Sequence, residues 1–133
     1  MKPPLGDTLV ICDMDNTLLT AKEGIPACNR AVIRLYTSLG GLFTVATGRP
    51  PESIRAALGD IRLSLPAISC NGALLYDFST ESVLHRATLN REQATTAILD
   101  ILNKFPRMGV EVMAGNGEMY VIPVSYTHLR AHE

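Results

Sequence analysis

Thr8-Leu9-Val10-Ile11-Cys12 runs directly into Asp13-Met14-Asp15-Asn16-Thr17, and this junction decides the fold. A short, continuous apolar run rich in β-branched residues, with no polar alternation, predicts a strand buried on both faces, as in a parallel sheet. The carboxylates that stop it predict a crevice at the strand's carboxyl end, where open α/β sheets bind their ligands.

The same pattern recurs downstream. Pro26 predicts a helix start, with Cys28, Val32, Leu35 and Leu39 as its apolar face and Gly40-Gly41 as its stop. Residues 42–46 read as a second buried strand ending in Thr47-Gly48-Arg49-Pro50, and a short helix over 53–58 is closed by Gly59. Residues 66–70 read as a third strand ending in Asn71-Gly72. Strand, helix, strand, helix, strand predicts an α/β fold, a Rossmann-like parallel sheet with right-handed crossovers. Its three polar turns then share one edge and converge on one pocket.

The second half changes character. Residues 73–76 and 83–88 read as strands around a polar turn. Asn90 predicts a helix cap with Gln93 completing a capping box, and Ala94, Ala97, Ile98, Ile101, Leu102 and Phe105 recur at the helical period until Pro106. Residues 110–113 and 119–122 flank Asn116-Gly117, a strong hairpin signal.

Composition narrows the function. Twelve Lys+Arg against thirteen Asp+Glu give a net charge of -1, without the basic stripe of a nucleic-acid binder. No apolar run approaches the ~20 residues of a membrane span. The N-terminus shows no signal-peptide core. Cys12, Cys28 and Cys70 are odd in number and lack C-x-x-C spacing, which predicts reduced thiols in a cytoplasmic protein.

Two carboxylates two residues apart at a strand end can divide labour, one as nucleophile and the other as proton shuttle. Together they suit a hard cation such as Mg²⁺. A calcium loop also begins Asp-x-Asp, but Leu18 stands where that loop needs glycine and Gly24 where it needs glutamate. The plainer alternative is that Asp13 and Asp15 only cap a turn; the buried strand before them and the two matching turns weigh against it.

At this point the residues resemble a family. Asp13-Met14-Asp15-Asn16-Thr17 is similar to the first motif of the haloacid-dehalogenase-like phosphatases. Thr47-Gly48-Arg49-Pro50 and Ser69-Cys70-Asn71-Gly72-Ala73 resemble the subgroup called Cof-type hydrolases. The resemblance implies a Mg²⁺-dependent phosphatase of small phosphorylated metabolites such as sugar phosphates, with no nucleic-acid or membrane partner. Asp13 is then the nucleophile that becomes an aspartyl phosphate, and Asp15 the acid and base. Mg²⁺ is held by the Asp13 carboxylate and the Asp15 carbonyl, while Thr47, Gly48 and Asn71 bind the phosphoryl group. Arg49 is given a structural or rim role. Residues 1–80 correspond to the start of the core and 81–124 to the start of an α/β cap domain. Residues 125–133 read as a non-native tail, in which His128 and His132 lack the glutamate of a zinc motif.

Two parts of the family's machinery find no match. The only lysines are Lys2, Lys22 and Lys104, none after a fourth core strand, and the later acids are scattered without a G-D-x-x-N-D pattern. The chain therefore reads as truncated within the cap, which leaves a non-catalytic fragment or binding module as the alternative, and a phosphomutase as a third.

Overall fold

A computed structural model describes residues 5–21, 23–115 and 118–123. Lys2, Lys22, the Asn116-Gly117 turn and the tail with His128 and His132 lie outside the described residues. The chain divides into two compact units, 1–86 and 87–133.

In the first unit β1 (Leu9–Cys12) pairs in parallel with β2 (Leu42–Val45), in the register Leu9 to Leu42 through Cys12 to Val45. The crossover is α1 (Ala27–Ser38), which starts behind Pro26 and ends before Gly40 at φ +86°. Gly41 follows because the Tyr36 ring occupies the place of a side chain there, and a Cβ would clash with that ring. α2 (Pro51–Leu58) begins with proline at its first position, where no N–H is needed, and leads to β3 (Ala67–Ser69). β3 joins β2 through a single parallel bridge, Ala46 to Ile68, and the Thr47 N–H donates to the Ile68 carbonyl at 2.9 Å. The buried Thr44 hydroxyl ties β2 to the approach to β3 by donating to the carbonyls of Leu65 and Pro66.

Two expectations are corrected here. The third strand was expected as a full member of a parallel sheet, but its ladder is antiparallel, with β4 (Leu74–Asp77), which in turn pairs with β5 (Ser82–Arg86). A left-handed Asn71 (φ +54°, ψ 35°) within a single 3-10 turn reverses the chain immediately after Ser69, so β3 forms its continuous ladder with the strand that follows it and keeps a single parallel bridge toward β2. The first strand was expected to be buried on both faces. β2 is, with Phe43, Thr44 and Val45 buried, but Leu9, Val10 and Ile11 remain 46%, 40% and 49% exposed. β1 has a neighbour on one side only among the described residues, so its outer edge and faces lack cover.

The apolar face of α1 also differs from expectation. Val32, Leu35 and Leu39 are exposed, and the helix instead buries Ile33 and packs Tyr36 against the core. Polar anchors chose this stripe. The Arg30 guanidinium donates to the carbonyls of Ile25 and Leu58 and pairs with Asp60, and the Tyr36 hydroxyl donates to the Thr8 carbonyl at 2.8 Å. The core they enclose includes Met14, Leu18, Phe43, Val45, Ile54 and Leu58.

An unpaired strand edge flanked by exposed apolar side chains is a template for association. The 133-residue chain is expected to self-associate with rising concentration in sedimentation velocity, and Val10→Lys to shift it toward monomer. A wild-type chain that stays monomeric throughout would contradict this.

In the second unit α3 (Arg91–Lys104) carries the expected capping box. Asn90 Oδ1 accepts from the Gln93 N–H, and Gln93 Oε1 accepts from the Asn90 N–H. β6 (Val110–Met113) and β7 (Met119–Ile122) form an antiparallel pair.

Candidate active site

The turn after β1 separates its side chains by alternation. Met14 is fully buried, whereas Asp13 and Asp15 on either side face solvent. Leu19 N–H donates to the Met14 carbonyl at 2.7 Å, and a left-handed Asn16 (φ +59°) turns the chain between them. The Thr17 hydroxyl donates to Asp13 Oδ2 at 3.1 Å and so fixes that carboxylate.

Asp13, Thr47, Gly48 and Asn71 line one cavity of about 290 Å³, with Ala46, Ile68 and Gly72. Thr47 is buried, and its hydroxyl oxygen accepts the Arg49 N–H at 3.2 Å, which leaves its own O–H free to donate. The Asn71 N–H donates to the Thr47 carbonyl at 3.1 Å, locking the second and third turns together. Gly48 sits close against Asn71: a Cβ there would lie 3.0 Å from Asn71 Oδ1 and 3.2 Å from its Nδ2, so the Asn71 side chain would have to shift. The cavity thus brings one carboxylate to a set of hydroxyl, amide and main-chain donors suited to an oxyanion. Burial first and the Asp13 charge second push the Cys12 thiol, beside Asp13, up.

Asp15 lies elsewhere. With Asn16, Leu19, Thr20, Ala21, Gly24, Arg49 and Ala57 it lines a second cavity of about 460 Å³. Its two oxygens accept from Arg49 Nε at 3.2 and 3.0 Å, and Oδ1 also from Nη2 at 2.7 Å. These bonds hold the Asp15 carboxyl below the usual carboxylate range and raise Arg49. Since the carboxyl is lowered on folding, the pair stabilises fully above the ordinary carboxylate pKa and loses its effect as pH falls through the lowered value. Asp15 is half-exposed, so solvent keeps that contribution small.

Sequence reasoning gave Arg49 a structural or rim role and assigned no role to Ser53 or to Ser69, which it quoted only within a motif. Arg49 Nη1 donates to Ser53 Oγ at 2.9 Å, one helical turn on. Ser69, fully buried, donates to the Arg49 carbonyl at 2.7 Å, and the Cys70 N–H donates to the same oxygen. The available signal was T-G-R itself: an arginine at a strand end, facing the acidic turn across a parallel pair.

The donors that could hold Mg²⁺ are the Asp13 carboxylate and the Asp15 main-chain carbonyl. Both are hard oxygens, and a small cation that keeps several waters fits so few protein ligands. No group of three acidic, histidine or cysteine side chains gathers among the described residues. No helix among them is long and apolar enough to cross a membrane.

The family model for haloacid dehalogenase-like hydrolases matches residues 10–132. Over 93 residues the chain is 37% identical to a 5-amino-6-(5-phospho-D-ribitylamino)uracil phosphatase of Bacillus subtilis, covering 70% of this chain and 31% of the relative. It is 32% identical over 76 residues to a pyridoxal phosphate phosphatase of Escherichia coli, covering 57% and 28%. A phosphatase structure from Bacteroides thetaiotaomicron superimposes with a TM-score of 0.70 at 18% identity, covering 93% of this chain and 44% of that one. The chain spans about a third of the length of the curated relatives it matches.

Proposed function

We propose, from the premise that this chain belongs to the haloacid dehalogenase-like hydrolases, that its parent protein is a Mg²⁺-dependent phosphatase of small phosphorylated metabolites. The observation that carries this reading is the single cavity in which the Asp13 carboxylate faces Thr47, Gly48 and Asn71. A nucleophile beside oxyanion donors is what phosphoryl transfer needs, because that reaction is mostly a matter of positioning and charge stabilisation. The two curated relatives, one a phosphatase of a ribityl phosphate and one of pyridoxal phosphate, support small monophosphates as the substrate class. The free state of Cys12, Cys28 and Cys70 supports a reducing, cytoplasmic setting.

In this reading the Thr47 hydroxyl and the Gly48 N–H hold the phosphoryl oxygens and Asn71 lines the pocket beside them. Asp13, oriented by Thr17, attacks phosphorus and carries the phosphoryl group as an aspartyl phosphate. Asp15 gives a proton to the leaving oxygen and later takes one from the water that releases phosphate. Bound at Asp13 and the Asp15 carbonyl, Mg²⁺ would neutralise charge between an anionic nucleophile and an anionic substrate. Residues 1–80 then supply the opening of the catalytic core and 81–124 the opening of a cap.

Phosphate release from a panel of sugar and cofactor monophosphates by the full-length protein tests the reading. Release is expected for at least one member with Mg²⁺ and is expected to cease on chelation. Release unaffected by chelation, or none across the panel, would overturn it.

A further inference from the structure

Asp15 is held more firmly than a solvent-facing carboxylate needs to be. Both of its oxygens accept from Arg49, in three contacts of 2.7 to 3.2 Å. The guanidinium is in turn fixed at its far side by Ser53. The Arg49 backbone is pinned at both ends: its N–H to the Thr47 hydroxyl of the oxyanion cavity, its carbonyl to the buried Ser69 and to Cys70. A forked arginine bond to a carboxylate fixes direction as well as distance. It also engages the carboxylate in its acceptor-only form, with lone pairs left for one further donor. Asp15 and Arg49 line a cavity separate from the one that holds Asp13.

We infer that Arg49 is a positioning residue for the second half of the reaction, aiming the Asp15 carboxylate at the water that cleaves the aspartyl phosphate. The inference rests on the phosphatase reading above. In that step Asp15 takes one proton from water, and the water oxygen bonds to phosphorus as the bond from phosphorus to the Asp13 oxygen breaks. Orthophosphate leaves and the Asp13 carboxylate is restored. The proton stays on Asp15, where the next leaving oxygen collects it.

The test uses the full-length enzyme with p-nitrophenyl phosphate, whose leaving group needs no proton. Phosphorylation of Asp13 is then independent of Asp15, and hydrolysis is not. Arg49→Ala is expected to lower kcat by roughly 10- to 100-fold, within the range of a misdirected general base. Its kcat/KM should stay within about threefold, because only binding and phosphoenzyme formation enter that ratio and the later hydrolysis does not. KM therefore falls with kcat, and rapid mixing should show a burst approaching one p-nitrophenolate per site. Arg49→Lys keeps the charge without the fork and should recover part of the kcat. In an Asp15→Asn background, Arg49→Ala should add little. Equal falls in kcat and kcat/KM without a burst, or a full further loss in the Asp15→Asn background, overturns the positioning role while leaving a working phosphatase. A parent enzyme that releases no phosphate overturns the phosphatase reading itself, and this inference with it.

Discussion

Asp13→Asn should abolish turnover in the full-length protein, by a factor on the order of 10⁴ to 10⁶, the scale seen when a catalytic unit loses its nucleophile. The substitution is close to isosteric. The Asn oxygen can still accept from the Thr17 hydroxyl that now bonds Asp13 Oδ2, so the turn after β1 should keep its shape. Asp13 is exposed and its neighbour Met14 carries the packing, so thermal stability should barely change. What disappears is the anionic oxygen that forms the bond to phosphorus. Acid quenching after a short incubation with labelled substrate should recover label on the wild-type protein and none on Asp13→Asn. Asp15→Asn separates the two carboxylates: with a good leaving group it should still become labelled and then hydrolyse slowly. Label retained in Asp13→Asn and lost in Asp15→Asn would reverse the two assignments.

How much of this was legible follows from what each signal encodes. The apolar runs located β1, β2 and β3, and Pro26, Gly59 and the Asn90/Gln93 box placed helix ends, because those signals are local. Pairing is not local. The sequence marks residues 66–70 as a strand, but whether its ladder goes to β2 or β4 depends on the reversal at Asn71, a conformation that asparagine tolerates without requiring it. The α1 face failed for a related reason. Spacing marks apolar stripes but does not rank one against its neighbour, and the choice was made by Arg30 and Tyr36 reaching groups far away in sequence. At the site, the turn chemistry of Asp13, Thr47, Gly48 and Asn71 was readable because strand ends in such sheets converge. The Arg49 bond to Asp15 spans thirty-four positions, and no periodicity reports a partner at that distance.

The second large effect concerns the residues this chain does not hold. Tested alone, the 133-residue chain should hydrolyse phosphate monoesters feebly, and a version extended to the length of its relatives should be faster by roughly 10⁴ to 10⁶. Phosphate monoesters are among the slowest uncatalysed hydrolyses, needing accelerations up to ~10²¹. As Asp13 approaches phosphorus, negative charge gathers on the carboxylate and the equatorial oxygens, and the resemblance implies a downstream lysine and acidic motif to answer it, one directly and one by completing the metal shell. Among the described residues the sole lysine is Lys104, on α3 in the second unit, and no third acidic ligand joins Asp13 and Asp15. Each missing preorganised partner costs on the order of 10² to 10³ in rate, and two are missing. The decisive comparison measures kcat/KM for both lengths, each with and without Asp13→Asn, at saturating Mg²⁺. Turnover that appears only with the extension and vanishes again with Asp13→Asn is the expected pattern. Rapid, Asp13-dependent turnover by the short chain would mean that the cavity of Asp13, Thr47, Gly48 and Asn71 neutralises the transferring phosphoryl group without either partner, and the electrostatic argument would fail.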